Sequence, residues 1–235
     1  MHEPACEAKS AVPPGAVFLF DVDNTLLDND RAKHVLDERI RRAVGDPGAL
    51  RFWALYEAVR ADLDQVDVPE TVHRLGRELA GAAALARLSD AIYGLDFAAQ
   101  LLPGAREALA CGRALGLTVL LSDGDQRFQR HKIRAAGLDT LVEGRVLITI
   151  HKEREMGAIR ARYPAAHYVL VDDKPELHAA MKAQLGAGLT TVLVEQGTYA
   201  RDPEAQRASP PPDLRIASIA DFARLTPEAL RITPR

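Results

Sequence analysis

Two carboxylates one residue apart, Asp21 and Asp23, follow the apolar run Val17-Phe18-Leu19-Phe20. Polar residues follow later apolar runs in the same way: Ser122 and Asp123 after Thr118-Val119-Leu120-Leu121, Lys152 after the stretch 145–150, and Asp172-Asp173 after Tyr168-Val169-Leu170-Val171. Carboxylates gathered in one place repel unless a cation neutralises them. Hard oxygen ligands without His or Cys favour magnesium over zinc or copper. A carboxylate beside such an ion can attack phosphorus, because the metal offsets the repulsion between two anions. A second carboxylate two residues on can then act as acid and as base. Lys152 offers a positive point charge to the nucleophile and the phosphoryl oxygens. The Ser122 hydroxyl, with N–H groups of its loop, can orient the same oxygens.

These residues meet only if the elements before them lie side by side. Apolar runs without alternation suit strands buried on both faces, as in a parallel sheet covered by helices. Thr190 to Val194, rich in β-branched residues, reads as a further strand, and Leu214-Arg215-Ile216 as a short edge strand. Helix-like stretches alternate with them. Ala105 to Leu115 closes at Gly116, Gln126 to Ala136 closes at Gly137, and Pro175 to Leu185 starts on a proline and stops before Gly186. Ile219 to Leu225 reads as a last helix after the exposed connection Ser209 to Pro212. This alternation predicts an α/β fold, a Rossmann-like open parallel sheet flanked by helices, whose carboxyl edge is the ligand-binding edge.

Residues 29–99 differ. Leu36, Ile40 and Val44 repeat every four residues, as do Leu55, Val59 and Leu63, and then Leu75 and Leu79. Asp46-Pro47-Gly48 and Val68-Pro69 mark breaks. We read residues 29–99 as an inserted helical domain, with 1–28 and 100–235 forming the α/β core. Glu38 to Arg42 reads as an exposed helix face, and aromatic Trp53, Tyr56 and Tyr93 as core more than as substrate contacts.

The formal net charge is −3 in 235 residues, so nothing global points to nucleic acid or an anionic membrane surface. No apolar run reaches the ~18 residues of a membrane span. The first fifteen residues lack the layout of a signal peptide. Cys6 and Cys111, far apart, argue against a disulfide framework or a zinc site and fit a reducing cytoplasm.

In Phe18-Leu19-Phe20-Asp21-Val22-Asp23-Asn24-Thr25-Leu26, Leu120-Leu121-Ser122-Asp123-Gly124, His151-Lys152-Glu153 and Val171-Asp172-Asp173-Lys174, the chain resembles the haloacid dehalogenase-like superfamily in its phosphatase branch. The resemblance spans about residues 15–200, with the four motifs in order. It implies that Asp21 attacks phosphorus to form an aspartyl-phosphate, and that Asp23 protonates the leaving oxygen and then activates water. It implies magnesium held by Asp21, the Asp23 backbone carbonyl and one acid of the Asp172–Asp173 pair, with Asp173 favoured as the direct ligand. Ser122, Asp123 and Lys152 would bind the phosphoryl group of a small-molecule substrate. Dehalogenases of this superfamily lack the second acid, since a halide leaving group needs no proton. The helical insert is similar to the family's small cap over such substrates.

Blander readings exist for each feature. Asp21 onward could be a calcium loop, but Leu26 and Ala32 stand where that loop needs Gly and Glu. Ser122 could be a helix N-cap, with Asp123 or Asp125 competing for that place. His151, Lys132 and Lys174 are alternatives to Lys152, and His151 alone has no partner at metal spacing. A phosphomutase and a non-catalytic binder of phosphorylated ligands are the rival functions.

Overall fold

The computed structural model describes residues 15–232, so Cys6 and all but the last of the fifteen residues judged to lack a signal-peptide layout lie outside the described residues. Six strands form one sheet: β1 (Ala16–Phe20), β2 (Leu117–Asp123), β3 (Val146–Thr149), β4 (His167–Asp172), β5 (Leu189–Val194) and β6 (Leu214–Ile216). Their order is β3-β2-β1-β4-β5-β6, with every neighbouring pair parallel. The chain builds outward from β1 to β3 on one side and then returns to place β4 on the other. The order therefore reverses beside β1, and a crevice opens at the carboxyl ends flanking it.

Successive residues of a strand point to opposite faces, and both faces here are covered. Phe18 and Phe20 join Leu120, Val169, Val171, Val192 and Val194 on one side; Val17 and Leu19 join Val119, Leu121 and Leu170 on the other. That is why β1 reads as an unbroken apolar run. The first face packs against α4 (Ala105–Leu115) and the short 3-10 helix Ile219–Arg224, whose Phe222 meets Phe20 at 5.0 Å between ring centroids. The last predicted helix is thus a 3-10 turn, not an α-helix. The second face packs against α7 (Met156–Arg162) and α8 (Pro175–Leu185) through Met156, Ile159, Leu177 and Met181.

The insert is helical, as its periodicity predicts: α1 (Asn29–Leu63), α2 (Val68–Gly76) and α3 (Ala82–Tyr93). Its first helix breaks at Gly45, one residue before the predicted turn, where φ is 78° and ψ 168°. Pro47 then falls in the first turn of the second segment, where its missing N–H leaves no helical bond unmade. Leu36, Ile40, Leu55 and Val59 are buried, whereas Leu63 ends exposed. The Glu38–Arg42 segment is not a wholly solvated face. Ile40 is buried, and the Arg39 guanidinium donates to the carbonyls of Ala91 at 2.7 Å and Asp90 at 3.1 Å, tying α1 to the end of α3.

Between β2 and β3 run α5 (Gln126–Ala135) and the single turn α6 (Leu138–Leu141); Gly137, at φ 69°, supplies the predicted left-handed cap of α5. The strand expected over 145–150 is shorter, and Ile150 lies outside it. A last turn, α9 (Gly197–Ala200), follows β5. Gly197 has φ 79°, and a Cβ there would stand 2.5 Å from Asn24 Cβ, so this turn lies directly on the Asp21–Thr25 loop. No helix among the described residues is long and apolar enough to cross a membrane.

Candidate active site

Asp21 leaves the end of β1 and is fastened sideways by its N–H, which donates to Val171 of β4 at 2.9 Å. The loop then turns through Asn24 in the left-handed region (φ 61°), a conformation Asn tolerates better than most residues. Asn24 Oδ1 accepts from the N–H groups of Asn29 and Asp30 at 3.0 and 3.2 Å, which joins the loop to the start of α1. Two carboxylates are thereby held just past the sheet edge, pointing into different surroundings.

Asp21 faces Lys152, which arrives on a short 3-10 turn after β3 with its side chain fully buried. Lys152 Nζ donates to Asp21 Oδ1 and, at 2.9 Å, to Asp172 Oδ2, with Asp123 Oδ2 at 3.9 Å. Burial alone would strip the proton from this amine, but the facing carboxylates of Asp172, Asp21 and Asp123 hold its pKa well above the usual lysine value. Asp172 Oδ1 accepts the Lys174 N–H at 3.0 Å, so both Asp172 oxygens are engaged. Burial would raise the Asp172 carboxyl, but neighbouring Lys152 and Lys174 hold it below the usual range.

Asp173 behaves differently. Neither of its oxygens has a partner, nor does Asp21 Oδ2, although all three are buried. Burial, followed by the charges of Asp172 and Asp21, pushes the Asp173 carboxyl up to about 9. Asp21 is pushed up to about 7, chiefly by burial and despite Lys152. Asp21, Asp172 and Asp173 each offer an oxygen within 4.8 Å of the others. An orphaned buried oxygen is costly, and unpartnered oxygens on two residues of this three-carboxylate cluster fit a hard cation. Once Asp21 and Asp173 have lost their protons, the carboxylates of Asp21, Asp23, Asp123, Asp172 and Asp173 outnumber the ammonium groups of Lys132, Lys152 and Lys174 by two, the charge a dication balances.

Asp23 has a partner that the spacing of motifs did not reveal. Lys132 Nζ reaches both of its oxygens, at 2.7 and 2.8 Å, and Gln129 Nε2 reaches Oδ2 at 2.9 Å. Burial would raise Asp23, but Lys132 and Gln129 outweigh it and hold the carboxyl below its usual value. Lys132 and Gln129 share the inward stripe of α5 with Phe128 and Ile133. Two polar residues on an apolar stripe are the signal by which they could have been found.

Ser122 is not the cap of α5. Asp125 is, accepting the N–H groups of Arg127 and Phe128 at 3.0 and 2.8 Å. The buried Ser122 hydroxyl instead accepts from Gln129 Nε2 at 2.8 Å, beside Asp23. The Asp123 carboxylate accepts the Lys152 N–H at 3.1 Å and lies 3.3 Å from Lys174 Nζ. His151 pairs with Asp64 of the insert at 3.0 Å and with Glu153 at 3.4 Å. Lys132 and Lys174 thus have their own carboxylates, and Lys152 is the lysine that meets Asp21.

Asp21, Asp23, Ser122, Asp123, Gln129, Lys132 and Lys174 line a cavity of about 710 Å³, while Lys152, Asp172 and Asp173 are fully buried and lie outside its lining. Its walls include Trp53, Tyr56 and Arg60 of the insert, while Tyr93 instead packs edge-on against Phe128 and His131.

The family model for haloacid dehalogenase-like hydrolases matches residues 16–186. A solved structure from Burkholderia xenovorans LB400, described as a haloacid dehalogenase-like hydrolase, is 42% identical; the match covers 93% of this chain and 99% of that one, with a TM-score of 0.85. YfnB from Bacillus subtilis, a HAD-hydrolase bound to magnesium, is 15% identical over 89% of this chain and 97% of its own, with a TM-score of 0.57. The L-2-haloacid dehalogenase of Xanthobacter autotrophicus is 17% identical over 90% and 97%, with a TM-score of 0.55. These last two share the fold. No curated protein matches the chain. The chain belongs to the haloacid dehalogenase-like hydrolases.

Proposed function

We propose that this haloacid dehalogenase-like hydrolase is a magnesium-dependent phosphatase acting on small-molecule phosphate monoesters through Asp21. The observation that carries this reading is the pairing of an orphaned acid cluster, Asp21 and Asp173, with a second acid, Asp23, on the same loop. Displacing a halide from carbon does not need the proton of Asp23, and the carbon attacked does not itself carry the anionic oxygens that a metal would shield. Displacing an alcohol from a phosphate needs both the proton and the shield.

Magnesium would be held by Asp21, the Asp173 carboxylate and the Asp23 backbone carbonyl, with Asp172 kept beside them by Lys152 and the Lys174 N–H. When bound, the ion supplies charge neutralisation between the nucleophile and the phosphoryl oxygens. Lys152 fixes Asp21 and adds a positive charge beside the reacting group. The Ser122 hydroxyl and the backbone N–H of Asp123 orient phosphoryl oxygens, while the Asp123 carboxylate, an anion itself, steadies Lys152 and Lys174. An Asp21 oxygen bonds to phosphorus as the ester P–O bond breaks, and protonated Asp23 gives its proton to the departing oxygen. Water then loses a proton to Asp23, bonds to phosphorus and releases Asp21. Lys132 must loosen its hold for Asp23 to take up that proton. Residues 29–99 serve as the cap that closes the cavity.

The test is magnesium-dependent phosphate release from p-nitrophenyl phosphate and a panel of phosphate esters, with L-2-chloropropionate in parallel. Phosphate release that is lost in Asp21→Asn is the expected result. Chloride release without phosphate release would replace this reading with dehalogenation. Isomerisation of a sugar phosphate without net phosphate release would replace it with the mutase.

A further inference from the structure

The cavity over Asp21 is larger than a two- or three-carbon phospho-acid fills, and its volume of about 710 Å³ lies within the usual range for small-molecule sites. Its walls are unusually aromatic. The chain has twelve aromatic residues, and five of them line this one cavity: Trp53, Tyr56, Phe97, Phe128 and Tyr199. Trp53 is the only tryptophan, and its single polar atom is already used, since Nε1 donates to Asp37 at 2.7 Å. What it shows the cavity is carbon. Large apolar side chains left open to solvent are few, and two of them, Tyr199 and Ile150, both 47% exposed, belong to this same lining. Surface of that kind gathered in one place marks a binding site more than a packing remainder.

The neutral amides beside the phosphate end are, by contrast, each engaged through at least one end. Asn24 is bonded to Asn29 and Asp30 through both ends of its amide. Asn29 Oδ1 faces Lys132 at 3.4 Å, and Gln129 serves Asp23, Ser122 and the Asp123 carbonyl. Glu57, Arg60, Gln65 and Glu176 also line the cavity, but a polyol seated against the Trp53–Tyr56 wall would bury hydroxyls against carbon, which costs free energy unless each finds a partner. A flat ring needs none, and gains from edge-on or offset contact with other rings.

Resting on the phosphatase reading above, we infer that the preferred substrates are monophosphate esters whose alcohol carries a planar aromatic or heteroaromatic ring, held against Trp53 and Tyr56. Phosphorylated polyols without such a ring are the poorer substrates. Lys33, whose Nζ lies 5.7 Å from the centre of the Tyr56 ring, borders the same wall and brings a positive charge to it.

The experiment compares esters whose leaving groups are all primary alcohols and that differ within each pair in the ring. The wild-type protein with magnesium is given a nucleoside 5′-monophosphate against ribose 5-phosphate, and 2-phenylethyl phosphate against ethyl phosphate. The ring-bearing member of each pair is expected to exceed its partner by about tenfold or more in kcat/KM, mostly through KM. A gain in the nucleoside pair alone keeps the ring and restricts it to one held at the distance the ribose sets. Trp53→Ala is expected to bring both ratios toward one. Ratios at or below one in the wild-type protein overturn the inference whether or not the variant folds, and leave the phosphatase reading standing. Absence of turnover on all four esters and on p-nitrophenyl phosphate overturns both.

Discussion

Lys152→Met tests the electrostatic account of the site most directly. The wild-type amine is fully buried and faces Asp21 and Asp172, with Asp123 close by. Met keeps most of the stem's volume and removes the charge, so the change isolates electrostatics from packing. Removing one partner of a buried ion pair costs about 3–5 kcal/mol, because the remaining charge is left uncompensated. For a protein of this size, that corresponds to a fall in Tm of roughly 6–20 °C. The fall depends on pH with a definite sign. Without Lys152, the folded-state pKa of Asp21 rises further above its unfolded value, and Asp172 loses the neighbouring charge that holds its carboxyl below the usual range. An acid raised in the folded state costs stability as pH climbs from the unfolded toward the folded pKa, and the cost shrinks when acid returns the proton. The metal-free variant is therefore expected to lose most at about pH 8.5 and least at about pH 5.5. Thermal unfolding followed by circular dichroism in a chelator, at both pH values and beside the wild type, measures it. Millimolar magnesium should recover part of the loss at the higher pH, because the ion sits among the same carboxylates. An equal loss at both pH values, or none at the higher one, would refute Lys152 as the counter-charge of this cluster.

Other outcomes follow from the same geometry. Asp23→Asn removes the proton donor and should lower kcat on alkyl phosphates by about 10²–10⁴-fold, read by steady-state phosphate release. The rise in Tm on adding magnesium should be larger at about pH 8.5 than at about pH 6, because Asp21 and Asp173, raised to about 7 and about 9, must shed protons to ligate the ion; calorimetry in two buffers should show those protons released. Gly104→Ala should destabilise by about 1–3 kcal/mol in chemical denaturation, since φ is +84° and the new Cβ would stand 2.4 Å from Ala220 Cα.

Much of the site was legible because its signals are local. A parallel strand covered on both faces must be apolar throughout, so Val17 to Phe20 and Tyr168 to Val171 announce both their own burial and the edge at which they stop. The helices that end at Gly116, Gly137 and Gly186 were equally readable, since a cap is a matter of a few neighbouring residues. Where such local signals thin out, the boundaries drifted. The break in α1 falls at Gly45 rather than over Asp46 to Gly48, and the segment ending at Leu225 winds as a 3-10 turn.

Asp21, Asp23, Ser122, Lys152 and the Asp172–Asp173 pair could be named as candidates from residue type and position, while the choice of Asp173 came from the family resemblance. What no stretch of chain contains is the pairing among them. Lys132 lies 109 residues from Asp23, and Lys152 lies 131 from Asp21. Which lysine meets which carboxylate depends on strand order and on the face α5 turns inward. The tertiary structure also decided that Trp53 and Tyr56 line the cavity while Tyr93 packs elsewhere. Helical spacing is the same for a buried ring and for one that borders a ligand, and only the neighbouring elements show which side of the ring is left open.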